Sequence, residues 1–310
     1  MNIENIDLNK FIDKYVSFVD MVSSKHNYDS NLKHLLYIIV PAFIIKYDLK
    51  NEKLILKCFE EVPMVISGTE NKNITASFNR RIIHQDGTYK SVKRIVINEY
   101  RTASLSNLLD NIIHEYNHAV NSYNNEVSYD DKYVKLRAGV SYMIFDRNTL
   151  RLLSKSKEVA LEEIINTMQT EQIINIINSF NRYEISNYEF SNMLYTLSTE
   201  VRGTFKSEAY TYDSLLAKEL INNKTFTPTI TNLRLKGNIE DIPYLFDNVL
   251  DRDGEYNRLN ELLTKIHKKE ILYGERTLFK NMILKEIKED SLKVINLIKE
   301  YDDKCIYKHT

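Results

Sequence analysis

Only 7 glycines and 4 prolines interrupt this chain of 310 residues. Glycine's backbone freedom and proline's missing N–H are what most often stop a helix, so a chain poor in both is predicted to be mainly helical. The apolar spacing agrees. Within residues 7–24, Leu8, Phe11, Ile12, Tyr15, Val16, Val19 and Val22 recur at helical spacing. Residues 31–46 form a second apolar element, and from Val159 onward almost everything reads as helix. The most apolar run, Leu35 to Ile45, contains Pro41 and is too short to span a bilayer, so it reads as a buried core segment.

The pattern changes between Leu54 and Glu99. Val62–Ile66 is a short β-rich run, and Ile74–His84 and Thr88–Glu99 flank Gln85-Asp86-Gly87. Asp-Gly between two such arms predicts a hairpin. The second arm ends in Arg94–Asn98, directly before the next helix. That strand is either an edge that pairs with an extended peptide or an interior strand of the sheet. Beyond the helix, Asn124–Asp131 reads as a loop and Leu136–Phe145 as one strand with a shorter partner after it. No repeat and no Ser- or Pro-rich linker is apparent. The expected architecture is α+β: a lobe over 1–158 with a small mixed sheet, and a mainly helical lobe over 159–310.

Composition excludes some functions. The formal net charge is -1 and the pI about 6.7, so no basic excess argues for nucleic acid. The polar, acidic start MNIENIDLNK does not read as a signal peptide, so none is expected. Cys58 and Cys305 are far apart, with no Cys or His at metal spacing nearby, so buried free thiols in a reducing, cytoplasmic setting are expected. The wealth of Ile, Lys and Asn suggests an AT-rich bacterial genome.

The helix expected over Ser104–Tyr123 contains no Pro or Gly. Leu105, Leu108, Leu109, Ile112, Tyr116, Val120 and Tyr123 form an apolar stripe, and Asn107, Asn111, His114, His118 and Asn121 a polar one. Thr102, Ser104 or Ser106 is placed to cap its start. His114 and His118 lie four residues apart, on one face, with Glu115 beside them, so both imidazoles can reach one metal ion. Two imidazoles and one carboxylate suit zinc with a fourth position open, a site that hydrolyses amide bonds. A third protein ligand is needed. A metzincin would carry glycine at position 121 and histidine at position 124, whereas this chain has Asn121 and Asn124. His267 and His309, in a charged helix and at the tail, are expected to be solvated. Leu161, Ile164, Ile165 and Met168 mark the buried side of a helix that also carries Glu162 and Glu163. Unpaired acids avoid apolar faces, so one of the two is expected to have a metal partner.

HEYNHAV followed by LEEIINTMQTE resembles the gluzincin class of HExxH zinc metallopeptidases, over about residues 74–180. In that class one helix gives two histidines and a later helix a glutamate. The resemblance implies a zincin-like fold and Zn2+ held by His114, His118 and Glu163, with Glu163 rather than Glu162 matching the class pattern. It implies Glu115 as general base and a peptide or protein substrate. It also implies a side-chain donor for the tetrahedral oxyanion, with Tyr210, Tyr212 and then Tyr142 as candidates. The class often has glycine after the metal-binding glutamate and aspartate four residues beyond it; here these are Ile164 and Thr167, with Asn166 alongside. An amide or hydroxyl can still orient an imidazole but raises its basicity less than a carboxylate does. Two other functions fit the same motifs: a zincin-like binding module without catalysis, and a zinc hydrolase of a non-peptide amide. An intact Glu115 counts against the first.

Overall fold

The computed structural model describes residues 3–67, 75–99, 104–156, 158–200, 216, 220, 223–275 and 280–308. It is α+β, with helix dominant as the scarcity of chain breakers predicts. The chain divides into two compact units of three segments each: residues 1–81, 92–120 and 169–208, and residues 82–91, 121–168 and 209–310.

The first unit begins with helices α1 (Leu8–His26), α2 (Ser30–Tyr47) and α3 (Glu52–Glu61). Asp7 and Asp29 cap α1 and α2, their carboxylates accepting from the N–H of Lys10 and Leu32. Every residue of α2 from Leu35 to Ile45 is buried, as an all-round apolar helix must be. Strands β1 (Met64–Ser67), β2 (Ala76–Gln85) and β3 (Thr88–Asn98) form a sheet of order β1-β3-β2, with β1 parallel to β3. The predicted hairpin is present. Asp86 and Gly87 take φ of 51° and 74°, the left-handed pair that a two-residue turn of this hand requires. Because β3 is hydrogen-bonded on both sides, of its two possible roles it takes the interior one.

Helix α4 (Leu105–Ser122) follows and carries both histidines. The first N–H groups of a helix have no partner inside it. Here Ser104 Oγ accepts from Asn107, and the Glu200 carboxylate, at the end of α6 (Tyr188–Glu200), accepts from Leu105 and Ser106 at 3.0 Å each. The anion also complements the helix dipole. Midway along α4, Tyr116 is fully buried, its ring centroid 4.1 Å from that of Phe59. Its hydroxyl donates to the Val62 carbonyl at 2.9 Å, and burial holds its pKa well above the ordinary tyrosine value.

The second unit holds an antiparallel meander of β4 (Val127–Tyr129), β5 (Tyr133–Ala138), β6 (Ser141–Asp146) and β7 (Leu152–Lys155). The sequence reading of Leu136–Phe145 as one strand is corrected here. Gly139 at φ 56° reverses the chain, pairing Ala138 with Ser141, so the run is the inner half of a hairpin. The same unit also holds α7 (Phe226–Lys236), α8 (Asp241–Leu250), α9 (Glu255–Glu275) and α10 (Lys280–Lys308). Leu161, Ile164, Ile165 and Met168, from the start of α5 (Val159–Phe180), share their apolar core with Phe246, Leu263, Ile266, Val294 and Tyr301. Cys58 and Cys305 are both buried and unbridged. No helix among the described residues is long and apolar enough to cross a membrane.

Tyr116→Phe should lower unfolding stability by about 1–2 kcal/mol, because it leaves the Val62 carbonyl buried without its donor. A urea midpoint equal to that of the parent would contradict this.

Candidate metal centre

His114 and His118 project from α4 one turn apart, with ring centroids 5.0 Å apart and planes at 80°. His118 is buried and His114 half-buried. Glu163 lies on α5, also half-buried. One ligand atom from each of His114, His118 and Glu163 can be chosen so that all lie within 4.8 Å of one another. A tetrahedral zinc with bonds of about 2.0–2.2 Å needs ligand atoms about 3.4 Å apart, a difference within the reach of side-chain torsions. The donor set of two imidazoles and one carboxylate suits a borderline metal such as zinc. These residues could therefore hold a metal ion of that kind. Glu115 is buried, 7% exposed.

The neighbouring acid has a different role. Glu162 is 1% exposed and ion-paired with Arg234, which is itself fully buried. Its Oε2 also accepts from the Val140 N–H at 2.7 Å. Arg234 is not visible in the sequence pattern as a partner, since it lies 72 positions away in α7. The metal partner expected for one of these two carboxylates is not what Glu162 has: its charge partner is the Arg234 guanidinium. A Cβ on Gly139 would collide with the same carboxylate, and the positive φ there already disfavours a side chain.

A second arginine closes the far end of α4. Arg137, 4% exposed, donates to the carbonyls of Asn121 at 2.9 Å and of Asn124. It also donates to Gly139 at 2.8 Å and to Arg234 at 3.2 Å. The carbonyls at a helix C-terminus lack partners within the helix, and a cation there also answers the dipole. Ser122 Oγ accepts from the Gly139 N–H at 2.9 Å.

Both residues between Glu115 and His118 are buried anchors. Tyr116 was legible only as part of the apolar stripe. Asn117 is 0% exposed; its Oδ1 accepts from the Tyr47 hydroxyl at 2.8 Å, and its Nδ2 donates to Thr170 Oγ1 at 3.0 Å. Thr170 sits on α5 seven positions beyond Glu163, and the sequence reading assigned no role to Asn117 or Thr170. Asn166 and Thr167, proposed to orient an imidazole, are both buried on α5. Of the oxyanion candidates, Tyr142 is half-buried on β6 beneath Lys135, whose Nζ is 5.7 Å from the ring centroid. Tyr210 and Tyr212 lie outside the described residues, as do Thr102 and His309. His267 is half-buried, not fully solvated as expected, because its Nδ1 is turned away from solvent on α9.

Comparison of the chain with protein-family models, with curated proteins and with solved structures found no match.

Arg234→Met should destabilise the protein by about 3–5 kcal/mol, since a buried carboxylate loses its charge partner. Arg234→Met with Glu162→Leu should recover most of that loss. A single variant as stable as the parent in denaturant titration would contradict the assignment of Glu162 to the fold.

Proposed function

We propose that this chain is a zinc-dependent metallopeptidase with a zincin-like arrangement, in which His114, His118 and Glu163 hold the ion and Glu115 is the general base. The observation that carries the reading is the convergence of those three ligand atoms within 4.8 Å beside a buried glutamate. The commitment of Glu162 to Arg234 supports the choice of Glu163 as the third ligand. Bound zinc would supply the Lewis acidity that amide hydrolysis requires.

The chain's own residues then have definite tasks. Glu115 accepts the proton of the attacking water and returns it to the leaving amine. Its burial keeps bulk solvent from competing for that proton. Tyr116 and Asn117 fix the helix that presents it. The substrate class is a peptide or protein. Two buried thiols support a reducing, cytoplasmic setting.

The test is a mixed peptide library digested by zinc-loaded protein and read by mass spectrometry. Glu115→Gln should lower cleavage by about 10²–10⁴-fold, the usual contribution of a general base, while zinc content and melting temperature stay near the parent's. A parent protein that loads zinc and cuts nothing would favour the binding-module reading. Equal cleavage by parent and Glu115→Gln would remove Glu115 from the mechanism.

A further inference from the structure

We infer that the buried side-chain relay Tyr47–Asn117–Thr170 is a positioning device that sets the register of the two ligand-bearing helices, and so the metal affinity of the site. This deepens the zinc reading above and rests on it.

The geometry is specific. Asn117 follows His114 by three positions and precedes His118 directly, so it lies beside the histidine face of α4, about 100° around the helix from His118. Its amide uses both ends: Oδ1 takes the Tyr47 hydroxyl at 2.8 Å, and Nδ2 reaches Thr170 Oγ1 at 3.0 Å. Asn117 and Thr170 are 0% exposed and Tyr47 is 4% exposed. Water is therefore not at hand to replace either bond, and breaking one leaves a polar group buried. Thr170 and Glu163 are seven residues apart, about two turns, which returns to nearly the same face of α5. Fixing Thr170 against Asn117 thus fixes the rotation of α5 about its axis and its slide along α4. A slip of one residue would swing the Glu163 carboxylate by about 100°. A ligand set needs geometry held to within about 0.5 Å, and apolar packing alone specifies such register less sharply than a directional bond.

The relay acts by placing the two helices, so its effect should appear in binding and coordination. Thr170→Val keeps the shape and removes the acceptor; Tyr47→Phe removes one hydroxyl and serves if the first variant fails to fold. Zinc affinity would be read by competition with a chromogenic chelator. Coordination would be read from the visible absorption of the cobalt(II)-loaded protein, and folding from far-UV circular dichroism and melting of metal-stripped protein. We expect folded variants whose zinc affinity falls about tenfold, the lower end for outer-shell groups, with a changed cobalt spectrum. Thr170→Ser, which restores the hydroxyl, should recover both. A variant that melts earlier but keeps parental affinity and spectrum would show that the relay only stabilises the fold, overturning this inference alone. A parent that takes up neither zinc nor cobalt would overturn the metal reading and this inference with it.

Discussion

The buried ion pair between Glu162 and Arg234 decides which of two adjacent carboxylates belongs to the fold. Neither charge is accessible to water, and such a pair persists only when its remaining polar capacity is also met. The Val140 N–H meets part of it, and the absence of a side chain at Gly139 makes room. Arg137 adds a second buried guanidinium whose acceptors are the Asn121 carbonyl in the last turn of α4 and the carbonyls of Gly139 and Arg234. The end of the helix that carries the two histidines is thereby tied into the same network as Glu162. Glu163, next along the helix, belongs to the His114–His118 cluster.

Helix α4 is held at every level of its length. Ser104 and Glu200 satisfy its first N–H groups, Tyr116 and Asn117 anchor its middle, and Arg137 takes the Asn121 carbonyl in its last turn. Such a helix has little freedom to shift when so many directional bonds would have to break together. The cost is a set of buried polar groups, each needing a partner placed by a distant part of the chain.

This explains what the sequence revealed and what it concealed. The hairpin turn was legible because Asp86-Gly87 demands positive φ, and α4 because its two stripes repeat at helical spacing. The histidine pair and Glu115 were legible because they are local, within five consecutive residues. The break of Leu136–Phe145 into two strands was missed although Gly139 was the signal: continuous apolar character masked a residue whose left-handed backbone turns the chain. The choice of Glu163 over Glu162 came from the class pattern, but the partners of Asn117 and of Glu162 were not readable from local pattern. They depend on Tyr47, Thr170 and Arg234, whose separations of 70, 53 and 72 positions leave no periodic trace.

X-ray absorption at the zinc edge of the zinc-loaded protein tests the central claim most directly. The account predicts a first shell of nitrogen and oxygen at about 2.0–2.2 Å, with outer-shell scattering from two imidazoles that falls to one in His114→Ala. A sulfur shell at about 2.3 Å, or no imidazole scattering at all, would contradict it.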